Sequence, residues 1–239
     1  MPLDVGILII GSLFWDYRRD AWRNARLNMK STQPVTAPIR YGRLSTTRGN
    51  TYTMVFSRRC KAGQGIVLRC LRDVSTPGDL FAEAEALWKA EQPNAAAHQI
   101  ASDWGCVALL SNPKRGIPPE IVKAWSERVG KEPGYGRVIQ AIEEGALITA
   151  AGMLDVPWPH DVSTGEPLQM DALLVTANVP TLAVTPDGYP TAEMIASAWN
   201  KAGGILAEYF WSNMENEIRT FQDDEIRAAL LPRGPKGTV

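Results

Sequence analysis

Residues 5–15 read V-G-I-L-I-I-G-S-L-F-W, a short apolar and β-branched run stopped by Gly11 and Ser12. A run of this length and composition makes a buried strand rather than a helix, and the glycine sets a turn at the strand's carboxyl end. At such a turn the backbone stops pairing, so the amides of Ser12 and Leu13 are free to converge on a carboxylate or phosphate. Gly11 suits the position because it can take positive φ or let another group come close.

The chain has 239 residues, which predicts one domain with a large extension rather than two independent domains. Hydrophobic residues make up 45% and charged residues 21%, a globular composition that argues against a disordered or fibrous chain. No apolar run approaches the ~20 residues of a membrane span, and the first strand lacks the basic flank of a signal peptide. These features predict a cytoplasmic protein without a membrane partner. The three cysteines, Cys60, Cys70 and Cys106, lack C-x-x-C spacing and form an odd set, so neither a disulfide framework nor a zinc site is expected.

A net charge of −1 conceals a division along the chain. Residues 1–72 carry 13 Lys/Arg against 3 Asp/Glu, leaving 12 against 23 for the rest. Eleven of the thirteen are arginines, whose planar fork suits a carboxylate, a phosphate or a facing acidic surface.

Strands are expected at 34–44 and 51–57, joined as a hairpin by Arg48, Gly49 and Asn50, and again at 65–71. The sequence Ser75-Thr76-Pro77-Gly78-Asp79 opens a helix to Glu91, and Pro93 ends it. A strand at 104–111 follows. Further on, the pattern predicts helices at 118–129 and 136–144, and strands at 146–154 and 171–177. A helix at 190–201 and a helical stretch at 208–230, broken near Gln222, complete the chain before a mobile tail at 232–239. Strands come first and helices gather later, which predicts an α+β fold: a mixed, largely antiparallel, barrel-like sheet with a helical C-terminal extension.

The strand ending in Gly11-Ser12-Leu13, the trailing Trp15, the segment Arg40-Tyr41-Gly42-Arg43 and the strand at 65–71, in that order, resemble the γ-glutamylcyclotransferase-like family. Ile10 stands where that family usually carries an aromatic residue. The resemblance implies a γ-glutamylcyclotransferase-like core at 1–112, with 113–239 an α/β extension packed on the same domain. It also implies a small-molecule γ-glutamyl substrate, cyclised to 5-oxoproline with release of its amine, and neither a metal nor a cofactor. The substrate's α-carboxylate would rest on Gly11, Ser12 and Leu13 with help from Arg43. In that family a glutamate within Leu-x-x-x-Glu acts on the α-amine, and Leu87-Trp88-Lys89-Ala90-Glu91 has this spacing. Glu91 is therefore the expected catalytic residue, with Glu83 and Glu85 on the same helix as alternatives.

Two other readings compete with an enzyme. One is a non-catalytic binding protein for a small anionic metabolite, discriminated by whether any of the three glutamates faces the 11–13 turn. The other is nucleic-acid binding through the arginines of residues 18–72 with Trp15, Tyr17, Trp22, Tyr41 and Tyr52 as stacking surfaces. The compensating acidic half weighs against the second.

Overall fold

The computed structural model describes residues 2–136 and 147–231, with the backbone alone at 204–207. Its strands are β1 (Val5–Ile9), β2 (Gln33–Ala37), β3 (Ile39–Ser45), β4 (Thr51–Phe56), β5 (Gly63–Arg69), β6 (Gly105–Ser111) and β7 (Ala172–Asn178). The described helices are α1 (Asp20–Arg26), α2 (Pro77–Glu91), α3 (Pro119–Val129), α4 (Ala192–Ala202), α5 (Gly204–Glu215) and α6 (Asp223–Ala229). The fold is α+β with a mixed sheet. None of the described helices is long and apolar enough to cross a membrane.

Five strands form one sheet in the order β2-β5-β1-β7-β6, and β3 and β4 form a separate two-stranded ribbon. The barrel-like expectation is corrected here: β2 and β6 end the sheet on opposite sides, each met there only by short bridges to loop segments and not by one another, so the sheet does not close. Pro38 is the reason. The sequence reads 34–44 as one strand, but proline supplies no ladder N–H, and the chain changes sheets there between β2 and β3. The β3–β4 ribbon then packs on α4 instead of completing a barrel.

Within the sheet every pairing is antiparallel except one. β1 runs parallel to β7, with Val5 beside Ala172 and Leu8 beside Val175. Both strands are buried on both faces, as the continuous apolar runs VGILI and ALLVTAN require. β7 comes from the 113–239 segment, so that segment supplies a strand at the middle of the sheet.

Helix α2 starts as its sequence predicts. The Thr76 hydroxyl accepts from the Asp79 amide, the Asp79 carboxylate accepts from the Thr76 amide, and Pro77 occupies the first turn. Leu80, Ala84, Leu87 and Trp88 from this helix are buried.

The remaining differences are local. The strand expected at 146–154 reduces, among the described residues, to isolated bridges of Ile148 with Leu154 and Leu109 with Met153, because a turn at Gly152 interrupts it. The stretch 208–230 divides into α5 and α6 around 216–222, where Glu217 takes a positive φ of 59°. The helix expected at 136–144 lies beyond residue 136 outside the described residues, as does the tail at 232–239.

Where β1 turns away at Gly11, Arg219 takes its place beside β5, and its backbone exchanges two hydrogen bonds of 2.9 Å with Gln64. A Cβ on the neighbouring Gly63 would overlap the Arg219 carbonyl, a backbone group with nowhere to move. Gly63→Ala is accordingly expected to destabilise the protein by about 1–3 kcal/mol. Urea denaturation checks this; an unchanged midpoint would show that this seam is not tight.

Candidate functional site

The parallel pairing of β1 with β7 brings two carboxyl ends to one edge of the sheet. Since Leu8 lies beside Val175, Thr176 and Asn178 end up near the 11–13 turn. β6 runs antiparallel to β7 with Gly105 opposite Asn178, which adds Asp103 and Trp104 to the same edge. A cavity of about 1040 Å³ opens there, lined by residues that include Gly11, Ser12, Leu13, Arg43, Glu91 and Thr176. The crevice beyond the carboxyl ends of parallel strands is a recurrent ligand site in sheets with helices.

Four of the sequence-derived site residues, Gly11, Ser12, Leu13 and Arg43, meet Glu91 in this one space. Among the described residues, the Ser12 and Leu13 amides donate no hydrogen bond to the protein. The turn is held by its carbonyls instead: Gly11 accepts from the Phe14 amide at 3.1 Å, and Ser12 from the Asp16 amide at 2.8 Å. Arg23 Nη1 donates to the Leu13 carbonyl. Gly11 is needed for close approach rather than for positive φ, because a Cβ there would stand 2.6 Å from the Tyr209 hydroxyl oxygen.

The glutamates separate clearly. Glu91 ends α2 at the cavity wall. Glu83 is only 3% exposed and accepts from Arg26 Nη1 at 2.9 Å, away from the cavity. Glu85 faces the groove between α1 and α2, where His98 Nδ1 lies 3.1 Å from its carboxylate.

Arg43 reaches the cavity through a register shift in β3. Tyr41 pairs with Met54 and Arg43 with Thr53, so two residues of β3 advance the register by only one on β4. The shift removes Arg43 from the face occupied by buried Tyr41. Its guanidinium then lies 4.7 Å from the Trp104 ring centroid. Trp104 is itself stacked on Trp88 of α2 at 4.8 Å and donates from Nε1 to Gln92 Oε1 at 3.1 Å. The same stack thus ties Arg43 to the end of the helix that carries Glu91.

Sequence reasoning did not single out Arg48, Thr176 or Tyr209. Arg48, in the β3–β4 turn, donates from Nη2 to Ser12 Oγ at 2.9 Å and covers the Tyr209 ring at 4.8 Å. Tyr209 comes from α5, which only the tertiary fold brings near. Thr176 did leave a sequence signal, since it is a hydroxyl inside an otherwise apolar strand core. It is 7% exposed, and its Oγ1 stands near the Glu91 carboxyl without making a hydrogen bond of good geometry.

Charge is distributed unevenly over the arginines of residues 1–72. Among the described residues, six of the eleven pair with carboxylates: Arg18, Arg23, Arg26, Arg40, Arg58 and Arg69. Three of the other five, Arg19, Arg43 and Arg48, line the cavity and make no carboxylate ion pair among the described residues. Burial lowers the Arg43 pKa, and the Arg48 charge adds to this, while Glu91 and Asp103 oppose it. Burial also raises the Glu91 pKa above the ordinary carboxylate value, with Arg19, Arg48, Arg43 and Thr176 acting in the opposite direction. The site therefore combines cationic anchors with a carboxyl that holds its proton more tightly than usual. Among the described residues no cluster of three or more His, Cys, Asp or Glu is placed to hold a metal.

Comparison with known protein families, curated proteins and solved structures returned no match.

Two outcomes are expected. Because the folded state binds the Glu91 proton more tightly than the unfolded chain, the stability this group supplies is complete below the ordinary carboxylate pKa and is lost as pH rises through the folded value. Glu91→Gln removes that titration, so its stabilising effect relative to the parent should be greater at about pH 8 than at about pH 4. Denaturant titrations at both pH values decide this, and an equal effect at both contradicts the raised pKa. The second outcome concerns Gly11→Val, which should displace Tyr209 from the turn and weaken binding of L-glutamate by at least about tenfold. Calorimetry on the folded variant tests it.

Proposed function

We propose that the protein cyclises a γ-glutamyl amine or peptide to 5-oxoproline, releasing the amine. One observation carries this reading: Glu91, a carboxyl whose pKa burial raises, shares a cavity with two backbone amides and three arginines that, among the described residues, have no hydrogen-bond acceptor and no carboxylate partner respectively.

The chemistry asks little of the protein's own nucleophiles. The substrate's α-amine attacks its own γ-carbonyl, the C–N bond to the leaving amine breaks, and a five-membered lactam remains. The protein must hold the glutamyl chain folded, take a proton from the α-ammonium and return one to the departing nitrogen. Fixing the attack geometry contributes several kcal/mol. In this reading the Ser12 and Leu13 amides hold the α-carboxylate, with Arg43 and Arg48 beside it as charge-assisted donors. Glu91 takes one proton from the α-ammonium and gives it to the departing nitrogen as the C–N bond to the leaving amine breaks. It then takes the second proton, shed by the newly formed lactam nitrogen, which the released amine or solvent picks up. A carboxyl whose pKa burial raises above the ordinary value is a better proton acceptor than a free carboxylate, and it can return the proton it takes.

Of the three glutamates weighed from the sequence, only Glu91 lines the cavity. Glu83 is committed to Arg26, so its role is structural: Glu83→Ala should cost about 3–5 kcal/mol of stability by leaving a partly buried guanidinium unpaired.

Glu91→Gln is expected to lower kcat by ~10²–10⁴-fold while leaving substrate affinity largely intact, because glutamine keeps the shape but accepts no proton. The parent's kcat should rise with pH along a limb centred above the ordinary carboxylate pKa. Chromatographic detection of 5-oxoproline from a panel of γ-glutamyl compounds is the measurement. Tight binding of the panel with no 5-oxoproline would favour the anionic-metabolite binding protein.

A further inference from the structure

A second cavity of about 600 Å³ lies between α1 and α2, and it shares Arg18, Arg19 and Pro93 with the first. Its α2 wall is formed by Ala82, Ala86 and Ala90, spaced four residues apart and hence on one helical face. Trp22 of α1 stands among the groove's lining residues, partly buried. The groove therefore has one smooth apolar wall, while charged side chains, Arg19, Glu85 and Lys89 among them, line the rest.

Its charges are not all cancelled. Arg18 is paired with Asp16, Arg26 with Glu83, and Glu85 lies near Arg128 and His98. Arg19 and Lys89 remain without a carboxylate partner among the described residues, and both line the groove. Arg19 lines both cavities and so stands at their junction, while Lys89 lines the groove alone. An occupant that reaches the groove from the Glu91 cavity passes Arg19 and then meets Lys89, Trp22 and the alanine wall.

We propose that this groove is the leaving-group subsite of the site described above, taking an amine portion that carries an apolar side chain and a free carboxylate. The inference rests on the proposed function for what occupies the first cavity. Arg19 and Lys89 hold the carboxylate, and Trp22 with the alanine wall holds the side chain. The substrate class is thus a γ-glutamyl peptide whose second residue is apolar, in preference to a γ-glutamyl derivative of a simple amine.

The test compares γ-glutamyl-leucine with γ-glutamyl-methylamide, whose leaving group is too short to enter the groove, by calorimetric affinity and by 5-oxoproline release. The leucine compound is expected to bind at least about tenfold more tightly. Lys89→Glu, a surface change that folds readily, and Ala86→Phe, which fills the groove, should each bring the ratio of the two affinities toward one. Equal affinities in the parent, or a preference that survives both variants, overturn the subsite. Preference without 5-oxoproline leaves the subsite standing and removes the proposed reaction; failure of both compounds to bind removes both.

Discussion

The pairing of β1 with β7 is the constraint on which the rest of the structure depends. The two strands lie 167 positions apart from Val5 to Ala172, yet they run side by side and in the same direction. Parallel pairing places both carboxyl ends at one edge, whereas an antiparallel pair would have put the start of one beside the end of the other. The 11–13 turn and Thr176 meet for that reason. β6 then delivers Trp104 to the same edge because it pairs antiparallel with β7. Trp104 in turn connects α2 to Arg43 through its two faces.

Electrostatics follow from this geometry rather than from overall charge. The excess of arginine in residues 1–72 first reads as a basic surface. Among the described residues six of the eleven arginines are matched by carboxylates, from Asp4, just before β1, to Asp187 in the second half of the chain. What distinguishes the cavity is three of the other five: Arg19, Arg43 and Arg48 face a space that contains Glu91. A carboxyl among three guanidinium groups would ordinarily titrate low, but loss of hydration prevails and its pKa rises.

Local signals proved legible wherever one stretch of chain carries the whole determinant. Thr76, Pro77 and Asp79 specify the start of α2 through hydrogen bonds that span three residues, and the helix ends at Glu91, before the proline at 93. The strands at 51–56 and 172–178 follow from their β-branched and apolar composition. Interruptions were less legible. Pro38 divides one expected strand between two sheets, and Gly152 reduces another to single bridges, because an apolar run does not record which neighbour, if any, is available to pair with it.

By itself, the sequence determined the strand-glycine turn at Gly11, the helix that ends in Glu91, and the reservoir of arginines, since each is a matter of local propensity or composition. Only the tertiary structure decided that these converge, that Glu91 rather than Glu83 or Glu85 lines the cavity, and that Arg48, Thr176 and Tyr209 join it. The physical reason is that those selections depend on burial and pairing between segments distant in sequence, 36 positions apart for Arg48 and Ser12 and 57 for Glu83 and Arg26. A glutamate on a helix face is chemically the same residue wherever it lies. Its partners, Arg26 at 2.9 Å for one and a desolvated cavity for another, divide a salt bridge from a carboxyl with a raised pKa.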